Sequence, residues 1–259
     1  MNLPCKLSFL ALGALLLGYA AICAVLYFNQ RDLLYFPAAT KVAAAATDFS
    51  LSRQGVTLRG WKLNPGKHRA LIYFGGNAER LENSRDDFAR LFPERTVYLL
   101  SYRGYGASDG QPTEAALFGD ALALYDAVRV QRAQADIAVI GRSLGSGVAS
   151  YLASQRPVKK LALVTPFDSI AELAQSHNRW LPARWLVSNA YASKHYLQQY
   201  AGSLLILRAG RDQVVPPANT DQLIAALTGP ATVVNFPQAD HNDIAQDPRY
   251  QQALQDFFH

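Results

Sequence analysis

Past residue 23 this chain contains no cysteine. Its two, Cys5 and Cys23, lie in or beside one N-terminal apolar run. Disulfides, thiolate metal sites and cysteine nucleophiles are therefore excluded from the roughly 230 residues that can form a core. The compartment stays open, because a thiol-free domain folds in oxidising or reducing surroundings. Charge is absent from Leu7 to Phe28. As a helix that run reaches roughly 33 Å, enough to cross a hydrocarbon core of about 30 Å. A cleaved signal peptide has a shorter apolar region, about 7–15 residues, and ends in small residues. This run ends in "AVLYFNQ", and Ile22 precedes Cys23 where a lipoprotein signal carries a small residue. Residues 1–29 are thus expected to be a single-pass membrane anchor, with a signal segment as the alternative, and residues 30–47, including "KVAAAATD", a linker. Residues 48–259 remain as one domain. Lys6 and Arg31 nearly cancel as orientation signals, while the short tail before the run favours an exported domain.

Long basic tracts are also missing. The net charge is +5, yet the basic residues are scattered and their longest run is Lys159-Lys160. That pattern fits a solvated surface with a mild preference for anionic headgroups, not nucleic-acid binding. The expected partners are the membrane, through the N-terminal helix, and a small-molecule or acylated lipid substrate. Nothing in the sequence sets the oligomeric state.

What the chain does have is alternation. Residues 49–63 alternate apolar and polar around Gln54-Gly55, as in an antiparallel hairpin. Six short apolar runs follow, "ALIYF", "TVYLLSY", "IAVIG", "LALVT", "LLILRAG" and "TVVNF". Strands that read as nearly continuous apolar runs are buried on both faces, as in a helix-covered parallel sheet. Helical patterns separate them. Leu117, Ala121, Leu124 and Val128 share one face after Thr113, an expected N-cap. The fold class is α/β, a mostly parallel twisted sheet with helices on both faces, whose ligands bind at the carboxyl ends of the strands.

The chemistry-bearing residues fall at such ends. In "VIGRSLGSGVAS" Ser143 sits between a buried strand and a helix, flanked by Gly141 and Gly145. The glycines allow a sharp turn that exposes the hydroxyl beside a helix N-terminus. Of five histidines, His241 follows the last strand directly and is the candidate base. His177, in the segment between "LALVT" and "LLILRAG", is the alternative; His195 shares that segment, and His68 and His259 are expected at the surface. Asp212, just past a buried strand, can accept the imidazole proton and orient the ring; Asp240 and Asp243, flanking His241, are rivals. No cofactor is called for, and no further histidine or carboxylate cluster suggests a metal. An oxyanion needs two backbone donors, each worth about 3–4 kcal/mol. The candidates are Leu144, next to the serine, and Asn77 in "GGNAER", with Gly76 as alternative. Residues 166–200 are long enough for a small helical lid. Its Trp180, Leu181, Trp185, Leu186 and Tyr191 either line an acyl pocket or pack on the core.

These motifs together resemble the α/β-hydrolase superfamily, in particular its membrane-anchored branch similar to Bem46-like proteins and eukaryotic depalmitoylases. The resemblance runs from "QRDLLYFP" (Gln30 to Pro37) through "GGNA", "YRGYGASDG", "GRSLGSG" and "AGRDQVVP" to "DHND". The order Ser143, Asp212, His241 is that of this superfamily. Gly75 stands where the family usually carries histidine. The resemblance implies an α/β-hydrolase fold and a serine hydrolase that cleaves esters or thioesters near a membrane. A serine peptidase, or a catalytically weak membrane-attached scaffold, would use the same frame.

Overall fold

The computed structural model describes residues 3–131 and 136–259; the first two residues of the expected anchor lie outside that range. The chain begins with α1 (Leu3–Leu34), whose length and composition suit a membrane anchor or a signal sequence. The helix continues past residue 29 into the expected linker, because Gln30, Arg31, Leu33 and Leu34 are good helix formers and no proline intervenes before Pro37. The rest of that segment is fastened to the domain, with Tyr35 and Thr40 buried and the Ala46 carbonyl accepting the Trp61 indole N–H at 2.7 Å.

The eight strands are β1 (Phe49–Arg53), β2 (Val56–Leu63), β3 (Arg69–Phe74), β4 (Arg95–Leu100), β5 (Ile137–Arg142), β6 (Lys160–Val164), β7 (Ser203–Ala209) and β8 (Thr232–Phe236). They form one sheet in the order β1-β2-β4-β3-β5-β6-β7-β8. The β1–β2 and β2–β4 pairs are antiparallel and the others parallel. All six apolar runs and the hairpin are strands where the sequence predicts them.

Both faces of the sheet are covered, which is why the runs lack alternation. Ile72, Tyr98 and Val139 belong to one apolar cluster, with Leu124 of α3 (Glu114–Gln131) and Val148 of α4 (Leu144–Gln155). Their strand neighbours Leu71, Val97 and Ile140 belong to the other, with Phe88 of α2 (Arg85–Leu91) and Leu254 of α9 (Pro248–Phe258). Each such side chain is worth about 1.5–3 kcal/mol of burial. Thr113 caps α3 as expected, its Oγ1 accepting the Ala116 amide at 3.2 Å. Between β6 and β7 lie α5 (Ile170–His177), α6 (Ala183–Leu186) and α7 (Ser193–Tyr196); α8 (Pro217–Ala225) follows β7.

Strand order reverses at β3, which has β4 on one side and β5 on the other. Crevices form at such switch points. The register brings Phe74 beside Gly141 and Gly141 beside Leu163, so β3, β5 and β6 end at one level. Likewise Ala209 pairs with Phe236.

Candidate active site

Ser143 is the residue on which β5 turns into α4. Its φ of 52° and ψ of −120° are strained for a non-glycine residue, a cost on the order of 1–3 kcal/mol. Bonds on both sides hold it there. The Ser143 amide donates to Val164 of β6 at 2.9 Å, and its carbonyl accepts from Ser146 at 2.8 Å. Gly145 is required by close approach: a Cβ there would strike the Phe74 carbonyl and lie 2.7 Å from the Gly75 oxygen. A Cβ on Gly141 would lie 2.6 Å from that of Ala149. The two glycines thus let α4 sit directly on the end of β3.

Two distant residues converge on the turn. His241 Nε2 lies 2.9 Å from Ser143 Oγ, and His241 Nδ1 lies 2.7 Å from Asp212 Oδ2. With the proton on Nδ1, the ring donates to Asp212 and its Nε2 accepts from the serine hydroxyl. The other Asp212 oxygen accepts the amides of Val214 and Val215 at 2.9 and 2.7 Å, which fixes the carboxylate. The Arg211 amide donates to Ala239 at 2.9 Å, tying the β7 loop to the β8 loop. Ser143, Asp212 and His241 are buried, so the chain of hydrogen bonds is largely shielded from water. Asp240 and Asp243 turn inward to their own loop instead, where they accept the amides of Asn242 and Asp240. His177 is exposed, with Nε2 3.0 Å from the Val214 carbonyl, while His68, His195 and His259 are also at the surface.

The loop after β3 faces the turn, and its two candidate donors differ. The Gly76 amide is taken: it donates to Glu79 Oε2 at 2.9 Å. The Asn77 amide has no acceptor among the described residues, and neither does that of Leu144, a first-turn amide of α4. Asn77 is held through its other groups. Its side chain donates to the Leu34 carbonyl at 3.0 Å, and its carbonyl accepts from the Tyr105 hydroxyl at 2.9 Å. Tyr102 donates to the Gly75 carbonyl at 2.8 Å. The "YRGYG" stretch and the end of α1 therefore brace this loop from behind.

Glu79 and Arg142 were not among the candidate residues. Glu79 accepts from Gly76, from the Tyr73 hydroxyl at 2.8 Å and from Arg142 Nη1 at 3.1 Å; Arg142 Nη2 donates to the His241 carbonyl at 3.2 Å. One ion pair thus joins three loops. Burial works against the Arg142 charge, but neighbouring Tyr73 and Glu79 oxygens hold its pKa above the ordinary arginine value. Burial, with Glu79 beside it, raises that of Tyr73. The available signal was an arginine inside an otherwise apolar strand end, which demands a counter-charge. At Gly75, a Cβ would meet Leu81 at 2.7 Å and Glu79 Oε2 at 3.2 Å, so those two side chains fill the space beside this glycine.

Above Ser143 is a cavity of about 480 Å³, lined by Leu144, Phe167, Leu173, Leu181 and Leu186 among others. Of the expected lid residues, Leu181 and Leu186 face the cavity and Tyr191 is buried against Phe118. The two tryptophans do neither: Trp180 and Trp185 are 62% and 83% exposed. In helices as short as α6, Leu186 takes the inward position and its neighbour Trp185 is left outside. Among the described residues, no group of three or more His, Cys, Asp or Glu could hold a metal ion.

A family model described as the alpha/beta hydrolase fold matches residues 69–186. An uncharacterized protein of Mycobacterium tuberculosis is 33% identical over 237 residues, covering 86% of this chain and 84% of that protein. The alpha/beta hydrolase domain-containing protein WAV2 of Arabidopsis thaliana is 31% identical over 219 residues, covering 74% and 70%. Lysophosphatidylserine lipase ABHD12 of Danio rerio is 31% identical over 170 residues, 58% of this chain but 44% of that protein. Among solved structures, ferulic-acid-bound Est1E of Butyrivibrio proteoclasticus superposes with a TM-score of 0.66 at 18% identity, covering 82% of this chain and 98% of that one.

Proposed function

Because the chain belongs to the α/β-hydrolase family, we propose that it is a serine hydrolase of carboxylic esters or thioesters, anchored to a membrane by α1. The observation that carries this is the unbroken Ser143–His241–Asp212 hydrogen-bond chain at the floor of an apolar cavity. In this reading His241 takes the Ser143 proton as Oγ bonds to the substrate carbonyl carbon. The carbonyl oxygen, now negative, is held by the Leu144 and Asn77 amides. The tetrahedral species collapses, His241 protonates the leaving alkoxide or thiolate, and an acyl-Ser143 remains. Water repeats the sequence from the other side, releasing the acid. Asp212 stabilises the imidazolium in both halves. Every bond made or broken is accounted for by these groups, and no cofactor is invoked.

The apolar lining supports an acyl chain, and the name of the Danio rerio relative supports a lipid ester. The membrane-anchored branch that the motifs resemble fits the same picture.

The test is labelling by a fluorophosphonate probe. Wild type is expected to label and Ser143→Ala is not; a wild type that does not label overturns the mechanism. p-Nitrophenyl esters compared with aminoacyl anilides then separate esterase from peptidase.

A further inference from the structure

α1 is held to the lid along much of its length. The Tyr19 hydroxyl donates to the Trp180 carbonyl at 2.9 Å, and the two rings meet edge-on at 6.3 Å. Gln30 Oε1 accepts the Ser188 amide at 2.8 Å, and the Tyr35 hydroxyl lies 2.8 Å from that of Tyr191. From Tyr19 to Leu34 this contact zone measures roughly 24 Å of helix. Within it, Leu26, Tyr27, Gln30 and Leu33 line the cavity that contains Ser143. Their spacing is that of one helix face. A helix that served only as a tether would have no such face.

The lengths then conflict with a domain that stands clear of the bilayer. Crossing a hydrocarbon core of about 30 Å takes about 20 residues. The uncharged run starts at Leu7, and from there to Gly18, ahead of the first lid contact, is only roughly 18 Å. A membrane-crossing α1 must carry Tyr19 and the following two turns into the hydrocarbon, and Trp180 goes with Tyr19. The lid surface suits that position. Trp180 and Trp185 are the exposed tryptophans already noted, and each presents a large apolar ring of the kind that is buried against other apolar matter. Exposed Arg179 adjoins Trp180, where its long stem can bring the guanidinium up to lipid phosphates.

We propose that the lid tip around Trp180 and Trp185 is embedded beside α1 in one bilayer leaflet. The Ser143 cavity then opens into the acyl-chain region and takes acyl esters of amphiphiles resident in that leaflet, with Leu26, Tyr27 and Leu33 as specificity-determining wall residues. The proposal rests on the reading of α1 as an anchor and of Ser143 as a nucleophile.

The first test uses the full chain in phosphatidylcholine vesicles that contain lipids brominated along the acyl chain. Tryptophan emission from wild type is expected to be quenched, and the residual emission of the Trp180→Phe/Trp185→Phe variant, from buried Trp61, is not. Unquenched wild-type emission, in protein that resists alkaline extraction from the vesicles, overturns the embedding while leaving the anchor intact. Release by alkali overturns both. The second test reads specificity. For Leu26→Trp and Leu33→Trp, the ratio of kcat/KM for a long-chain ester to that for p-nitrophenyl acetate is expected to fall about tenfold. An unchanged ratio in both variants overturns the wall assignment. A wild type that quenches but takes no fluorophosphonate label points instead to failure of the hydrolase reading.

Discussion

The two sides of the cavity above Ser143 are built differently. On one side Ser143, Asp212 and His241 are 7%, 5% and 6% exposed, and Glu79 and Arg142 lock their loops together. On the other, α1 and the segment between β6 and β7 line the cavity with apolar side chains such as Leu26, Leu33, Leu181 and Leu186 and leave two tryptophans outside. The difference follows from what each must do. In the proposed mechanism, proton transfer and nucleophilic attack lose about 10²-fold for a displacement of 1 Å, so the groups assigned to them are braced. Holding an alkyl chain needs only apolar area removed from water, which is not directional. In that proposal the braced side fixes the reaction and the loose side leaves the substrate adjustable.

Substitutions on the two sides should therefore differ in kind as well as in size. The largest effect is expected for Ser143→Ala, with hydrolysis of a short p-nitrophenyl ester falling by about 10⁴- to 10⁶-fold at unchanged thermal stability. Asp212→Asn should follow at about 10⁴-fold, because the amide no longer holds the imidazole in the productive tautomer. Initial rates retaining a tenth of wild type in either variant would remove the residue from the mechanism. Gly145→Ala drives a methyl into the Phe74 carbonyl and must push α4 off β3. A loss of about 1–3 kcal/mol by chemical denaturation is expected, together with a fall in kcat, and full activity would show that the close approach is dispensable.

Glu79→Gln keeps the shape and an acceptor for Gly76 and Tyr73 but strips Arg142 of its counter-charge. Stability should drop by about 1–3 kcal/mol, and kcat about tenfold with KM held, since the loops shift without touching the acyl site. A change in KM alone would place Glu79 on the substrate side. The smallest effect belongs to the loose side: Trp185→Ala in detergent should move stability by no more than about 0.5 kcal/mol and leave the rate on a water-soluble ester within about twofold. A larger loss would mean that the two sides are coupled and would break the contrast.

Much of the braced side could be read in the sequence, because its residues carry local signatures. A serine between glycines at the end of a buried strand has few structural alternatives, and a histidine directly after the last strand is placed by that strand. Asp212 is set apart from Asp240 and Asp243 in the sequence by its place just past a buried strand, and the geometry adds its 2.7 Å contact with the His241 ring. For the expected donor Asn77 and its alternative Gly76, the sequence does not show the tertiary partner, the Glu79 carboxylate that accepts the Gly76 amide. Arg142 and Glu79 stand 63 residues apart, and no spacing rule links them. The roles of Tyr102 and Tyr105 were equally hidden: the "YRGYG" stretch was visible, but not that its hydroxyls support the loop at Gly75 and Asn77.

The N-terminal segment divides in the same way. The sequence by itself determined that Leu7 to Phe28 is an uncharged run long enough to cross a bilayer, that six strands are buried on both faces, and that serine, aspartate and histidine occur at strand ends in a workable order. Those are properties of composition and period, which short-range sterics and the hydrophobic effect impose residue by residue. Only the tertiary structure decided that α1 continues to Leu34, meets the lid at Tyr19 and walls the cavity with Leu26 and Leu33. The Tyr19–Trp180 bond joins positions 161 residues apart, and an apolar helix face is the same in sequence whether lipid or a substrate pocket lies against it.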